Sequence, residues 1–124
     1  MQGTAFRFFA TAVVFVVIGM AWGIHMSATG NHLYAPAHAH VNLLGWVTMG
    51  LFGIYYHLVP AAAASRLATI HYAVATLGVV LIAPGIVMAI DGTGEALAKA
   101  GSVLSILSML IFLWTVISTR GKAS

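Results

Sequence analysis

Four long apolar runs follow one another along the chain, and each is bounded at both ends by a histidine or a charged residue. A helix needs about 20 apolar residues to cross the hydrocarbon core of a bilayer, within a range of about 17–25. The first, third and fourth runs meet this length, and the second meets it when its flanking histidines are included. The runs cover residues 8–24, 41–56, 72–90 and 100–119. The pattern predicts an all-α protein with helices over about 5–28, 38–59, 68–90 and 97–119.

Composition places these helices in a membrane. Hydrophobic residues make up 61% of the 124-residue chain and charged residues 6%, whereas a soluble domain carries about 25% charged residues. Too few polar side chains are present to cover a surface that faces water. We therefore predict a single domain over residues 1–124, a four-transmembrane-helix bundle surrounded by lipid. The formal charge of +3 comes from scattered basic residues, which argues against a nucleic-acid partner.

A secretory signal is the alternative interpretation of the first run, since one arginine precedes it. A signal peptide would end in small residues at a cleavage site. The chain instead continues as Met20-Ala21-Trp22-Gly23 straight to His25. We therefore favour a spanning helix for this run.

Charges between the apolar runs predict the orientation of the helices, because basic loops stay on the cytoplasmic side. The termini and the 61–67 loop carry Arg7, Arg66, Arg120 and Lys122. The opposite side carries Asp91, Glu95 and the single Lys99. We expect both termini to be cytoplasmic and the loops 26–39 and 91–98 to face outward. The expected location is the inner membrane of a prokaryote, as a multi-pass protein.

Histidine is the main chemical signal, with six histidines against five basic and two acidic residues. An imidazole is costly in a bilayer because lipid offers its nitrogens no partner, and it is the commonest metal ligand. The chain has no cysteine, which excludes disulfides, thiolate metal sites and covalent haem attachment through CxxCH. The predicted orientation places His25, His32, His38 and His40 at the outer side, and His57 and His71 at the inner side.

The pair His38-Ala39-His40 lies where a polar loop gives way to the second apolar run. Two residues apart on a helix, these imidazoles point about 200° apart, so one metal cannot take both unless the helix unwinds. Asn42 lies one turn below His38, in place for a hydrogen bond to a ligating imidazole. Gly45 lies two turns below His38, where a flat macrocycle or another helix can approach the backbone. We predict cofactor binding by His38, His40, Asn42 and Gly45, with the two histidines as metal ligands.

The remaining histidines are weaker candidates. His25 ends the first helix at the depth of His40, where it either ligates the metal or bonds to a loop carbonyl. We expect His32, in a polar loop, to be solvated. His57 and His71 are secondary metal candidates, but the tyrosines beside them favour an interfacial aromatic belt. His57 follows His40 by 17 residues, about 25 Å along a helix, so one metal cannot join the two sides.

The stretch over residues 37–60 resembles a known family, the large subunit of haem–copper oxidases and nitric oxide reductases. His38-Ala39-His40 resembles the outer H-x-H pair of that family, whose first histidine binds the high-spin haem and whose second binds the low-spin haem. The longer run, HVNLL at 40–44 with YYHLVP at 55–60, is more similar to the second helix of the nitric oxide reductases, where a single outer histidine binds the low-spin haem. Both versions imply the low-spin role for His40, and only the first gives His38 a haem.

The chain also departs from that family. The oxygen-reducing centre of the family needs a copper with three further histidines, and this chain has neither an adjacent His-His pair nor a second H-x-H. One copy therefore cannot rebuild that centre, and the question of enzyme activity stays open. The resemblance implies a membrane protein that binds haem b through His40, with a second haem or a copper at His38. Its work would be electron transfer or the binding of a diatomic gas, with an unidentified redox partner.

Two other functions remain open from the sequence. One is a copper- or zinc-binding membrane carrier or assembly factor that uses His25, His38, His40 and a methionine. The other is a structural subunit that packs on a larger respiratory complex. A visible spectrum separates them, because only haem gives a Soret band.

Self-association is expected because two opposed imidazoles cannot both face the interior of one small bundle, and an imidazole facing lipid is costly. We predict a homo-oligomer with the cofactor at or near subunit contacts. The family fold joins three four-helix units around a pseudo-threefold axis, which implies a trimer for this chain. Gly78, Pro84 and Gly85 predict that the third helix is kinked or closely packed in its outer half. On the fourth helix, Ser102, Ser105 and Ser108 form a stripe that favours contact with another helix.

Overall fold

The computed structural model describes residues 1–123, and these residues form helices joined by short turns without any strand. The predicted all-α class is therefore confirmed for this part of the chain. The elements are α1 (Gly3–Thr29), α2 (Ala35–His40), a π-helix (Val41–Thr48), α3 (Met49–Leu58), α4 (Pro60–Ala63), α5 (Arg66–Asp91) and α6 (Ala96–Ser118).

The elements α2, π-helix and α3 follow one another without a break, as one continuous helix from Ala35 to Leu58, referred to below as the second helix. The π turn did not follow from the sequence pattern. Its backbone hydrogen bonds reach five residues back, as in the bond from the Met49 amide to the Leu44 carbonyl. The Thr48 side-chain hydroxyl also donates to the Leu43 carbonyl, at 2.8 Å. Such turns are rare in proteins, and those that occur are often found at functional sites. This one begins directly after His40.

Three helices are long and apolar enough to cross a membrane, namely α1, α5 and α6. The second helix, interrupted by the π turn, is not among the three. Many large apolar side chains are exposed in the single chain. A soluble monomeric protein rarely exposes so large a continuous apolar surface. On α6 they include Val103, Ile106, Leu110, Leu113, Trp114 and Ile117. These helices give the protein its membrane-spanning character.

The two ends of the bundle differ in what they contain. One end holds the N terminus, α4 and the end of α6, and the other holds the turns at residues 30–34 and 92–95; they are termed the inner and the outer end below, after the orientation expected from the sequence. At the outer end the Tyr34 hydroxyl donates to a carboxylate oxygen of Asp91 at 2.7 Å. Toward the inner end, Phe8 of α1 stacks on Tyr56 with ring centroids 5.5 Å apart. The aromatic core therefore lies toward the inner end.

Glycines allow α5 and α6 to pack at backbone distance. A Cβ at Gly101 would lie 2.6 Å from the Ile82 nitrogen, and one at Gly78 would lie 3.1 Å from the Ser105 hydroxyl. Gly85 lies directly against the backbone of Ala98. The close contact between the third and fourth long helices is thus as the small residues predicted.

Candidate functional site

His38 and His40 occupy the end of α2, immediately before the π-helix. Pro36 lies in the first turn of α2, where a proline costs no helical hydrogen bond. The two imidazoles have different neighbours, in agreement with the divergence expected for residues two apart on a helix. His38 packs against α1, whereas the ring of His40 bonds within its own helix.

His38 lies in a recess of α1 that two glycines create. A Cβ at Gly23 would lie 3.1 Å from the His38 Cε1 atom, and one at Gly19 would overlap the Asn42 Oδ1 atom. The Trp22 ring lies edge-on to the imidazole with centroids 6.3 Å apart. Asn42 Nδ2 lies 3.2 Å from His38 Nε2, so the hydrogen bond expected between these two residues is present. The pair joins the second helix to α1.

The nitrogens of His38 are poorly placed for a metal in this conformation. Nε2 is engaged by Asn42, and Nδ1 is buried without a hydrogen-bond partner, as is Oδ1 of Asn42. The orientation of the Asn42 amide, with Nδ2 toward His38, is assigned from its hydrogen bonds. If the amide is flipped, Asn42 still bonds to Nε2 of His38. A haem or copper on His38 would require its ring to leave Asn42.

His40 has the opposite arrangement. Its Nδ1 atom lies 2.7 Å from the Pro36 carbonyl oxygen, and a carbonyl only accepts, so Nδ1 carries the proton. The neutral ring then has its lone pair on Nε2, which has no hydrogen-bond partner in the described part of the chain. The residue is half-buried. Metal-bound histidines have this pattern, because the second nitrogen donates to a carbonyl or carboxylate that fixes the tautomer.

Gly45 is a helix-packing position. A Cβ there would lie 2.8 Å from Phe15 Cβ and Cγ of α1. The sequence predicted either a flat macrocycle or another helix beside Gly45, and the structure shows helix α1 there. A macrocycle at this position would have to displace Phe15, and a cofactor-binding role for Gly45 stays a prediction.

The other sequence candidates do not join the outer pair. His25, His32 and His57 are exposed, as expected for His32. No three His, Cys, Asp or Glu residues within residues 1–123 come together in a way that could hold a metal ion. The set of His25, His38 and His40 considered for copper or zinc is therefore not assembled within one chain.

The belt interpretation is wrong for His71 and Tyr56. Both are buried, with 0% and 1% of their surface exposed, and the Tyr56 hydroxyl lies 2.8 Å from His71 Nδ1. Phe52 and Phe112 pack on the imidazole with centroids 4.5 and 5.9 Å away. His71 is therefore a core residue of the bundle.

Sequence reasoning missed the α1 side of the outer site. The spacing of Gly19 and Gly23 is a G-x-x-x-G pattern, which marks close helix approach in membranes and would have pointed to this contact. The role of the Pro36 carbonyl had no comparable signal, because any helix provides a carbonyl four residues before a histidine.

Comparison with known proteins gave no match to a family model, a curated protein or a solved structure. The resemblance of residues 37–60 to the oxidase and reductase family therefore rests on its motifs alone.

Proposed function

We propose that this chain is a multi-pass membrane protein that binds haem b through the Nε2 atom of His40. The observation that carries the proposal is the hydrogen bond from His40 Nδ1 to the Pro36 carbonyl, which leaves Nε2 with a lone pair and no partner. A porphyrin fills the equatorial positions of iron, so the protein supplies only axial ligands. Zinc sites usually take three or four protein ligands. A single oriented imidazole therefore suits haem better than zinc or copper.

The surface of the second helix near His40 supports the same assignment. Leu43, Val47 and Leu51 are exposed apolar residues that follow His40 along this helix, and they offer an apolar surface for a macrocycle. The Pro36 carbonyl holds the ring orientation and raises the basicity of the ligand. When bound, the haem supplies an iron that exchanges one electron or, at an open position, takes a diatomic gas. His38 and Asn42 position the second helix on α1.

The proposal includes the second helix as a fourth membrane span with both termini in the cytoplasm. From Ala35 to Leu58 it is at least as long as α6, which has 23 residues. It carries no Asp, Glu, Lys or Arg, and it packs on both α1 and α5. The basic residues at the inner end support the orientation, and a prokaryotic inner membrane is the proposed location.

The proposal further includes a homo-oligomer. A haem on His40 would lie outside the hydrophobic core of its own chain, where a second copy can cover it. The observation that favours this is the partial exposure of His40 together with the exposed apolar residues beside it. Threefold closure is proposed from the resemblance to a family that joins three such units.

A visible spectrum of the purified protein tests the function. We expect a Soret band and sharp α bands on reduction. Bound copper or zinc without a Soret band would favour the carrier function, and neither signal would favour a structural subunit. Carbon monoxide added to the reduced protein then separates the two haem roles, since a spectral shift marks an open gas position and no shift marks an electron carrier with both axial positions filled.

A further inference from the structure

We infer that an open recess at the inner end of the bundle binds a phosphate group, carried by a membrane lipid or free in solution. The inference is independent of haem binding. The recess has a volume of about 650 Å³, which is within the usual range of ligand sites in proteins. It lies where the start of α1 meets α4 and the end of the second helix. Its lining includes Gly3, Thr4, Ala5, His57, Pro60 and Ala64.

The first turn of α1 brings three unpaired backbone amides to this recess. Gln2, at the N-cap position, makes no side-chain hydrogen bond to the helix. The first amide with a protein partner is that of Phe6, which donates to the Gln2 carbonyl at 3.3 Å. The amides of Gly3, Thr4 and Ala5 therefore remain free to donate, and the positive end of the helix dipole lies with them. Such helix starts bind phosphate and other anions.

Thr4 adds a side-chain donor that has no partner. The residue is 7% exposed, and its hydroxyl makes no hydrogen bond within residues 1–123. Thr29 and Thr115, by contrast, donate to the carbonyl four residues earlier at 2.9 and 2.8 Å. A polar side chain buried to this degree usually has a partner. The Thr4 oxygen is not completely enclosed, so a ligand in the recess that Thr4 lines can supply that partner.

The charges around the recess favour an anion. His57 lines it and is exposed. Arg7 lies one turn after the start of α1, and Arg66 lies two residues after Ala64 of the lining. Both arginines are exposed, and neither forms an ion pair in the described part of the chain. The two acidic residues of the chain lie at the outer end, so nothing at the inner end neutralises this positive charge.

The set of donors suits phosphate in particular. Three amides and a hydroxyl need several acceptor oxygens on one small anion, and a phosphate group offers them. The start of a membrane-spanning helix lies at the depth of the lipid headgroups. Pro60, Ala63 and Ala64 give the recess an apolar side, against which the glycerol part of a lipid can pack.

Native mass measurement in mild detergent, with phosphatidylglycerol added in steps, tests the site. The wild type should retain one lipid more tightly than any further ones. Thr4→Val keeps the shape of the side chain and should weaken that retention about tenfold, the loss typical of one hydrogen bond to a charged group. His57→Ala should weaken it severalfold. The matched control is Thr29→Val, the same replacement at the other end of α1, which should leave retention unchanged.

Inorganic phosphate distinguishes the two sources of the ligand. A lipid that stays bound in excess phosphate marks a headgroup site. Displacement of the lipid, or a rise in the unfolding temperature with phosphate that Thr4→Val lacks, marks a site that takes free phosphate. Wild-type retention in both Thr4→Val and His57→Ala would overturn the inference, as would an equal loss in Thr29→Val. If Thr4→Val does not fold, unchanged retention in His57→Ala, which alters an exposed residue, overturns it alone.

Discussion

The Nδ1 atom of His40 lies 2.7 Å from the carbonyl oxygen of Pro36, one turn earlier on the same helix. The orientation of this imidazole is therefore set locally, within the five helical residues from Pro36 to His40. His38 is instead held by contacts to Asn42 and to the glycines of α1. A change on α1 should consequently disturb His38 while the ligand position at His40 persists.

Substitution of Gly19 tests this separation. Gly19→Ala should lower the free energy of unfolding by about 1 kcal/mol, because the new methyl group displaces the Asn42 amide and breaks its hydrogen bond to His38. The haem content of the folded fraction should stay near the wild-type value. Thermal unfolding in mild detergent measures the first effect, and haem absorbance per folded protein measures the second.

Gly50→Ala is the matched control for that experiment. A Cβ at Gly50 would lie 3.9 Å from Ala12 Cβ, an ordinary van der Waals contact. Equal stability of the two variants would refute the close packing at Gly19, and loss of haem in folded Gly19→Ala would refute the independence of His40.

The contact between Tyr34 and Asp91 should depend on pH in one direction. The hydrogen bond to the Asp91 carboxylate raises the pKa of the exposed Tyr34 phenol above its ordinary 10.0. Because the folded pKa is the higher one, the bond contributes fully below pH 10.0 and is lost as pH rises through the raised value. Tyrosinate absorbance, taken as the difference between wild type and Tyr34→Phe, should titrate at lower pH in the Asp91→Ala background. An unchanged titration would show that the contact is not formed in solution.

Orientation in the membrane is open to a direct test. Reporter domains fused to either terminus should be active only on the cytoplasmic side, because Arg7, Arg66, Arg120 and Lys122 cluster at that end. A reporter inserted in the 92–95 turn should be active only outside. Any fusion set that places the C terminus outside would reverse the assignment of the histidines to the two sides.

Native mass measurement in mild detergent tests self-association. We expect an oligomer that carries haem, since His40 is partly exposed beside apolar residues of its own helix, and the family resemblance implies that it is a trimer. A dimer would retain the subunit contact and remove the threefold analogy. A monomer with its full haem complement would contradict the proposal that a second copy covers the cofactor.

The spacing of apolar runs was enough to locate the long helices, which begin and end within three residues of their predicted bounds. Helix length and lipid exposure depend mainly on where polar residues interrupt the chain. The π turn after His40 could not be predicted in this way, because it shifts hydrogen bonds by one residue without changing which residues are apolar.

The burial of His71 could not be predicted from the pattern of apolar residues either. A histidine next to a tyrosine near a helix end is typical of the membrane–water interface. Only the packing of Phe8, Phe52 and Phe112 around the imidazole shows that His71 is enclosed. The hydrogen bond between His38 and Asn42 was predictable, because it joins residues four apart on one helix. Contacts within a helix thus followed from the sequence more readily than contacts between helices.

The reduced-minus-oxidised visible spectrum of His40 variants tests the central claim most directly. His40→Ala should lose most of the haem bands while the protein still inserts, and added imidazole should restore them in His40→Gly. His57→Ala, which removes an exposed histidine from the same continuous helix, should keep the full spectrum, and His38→Ala should keep most of it. Full haem bands in His40→Ala, with their loss in His38→Ala, would contradict the assignment of His40 as the haem ligand.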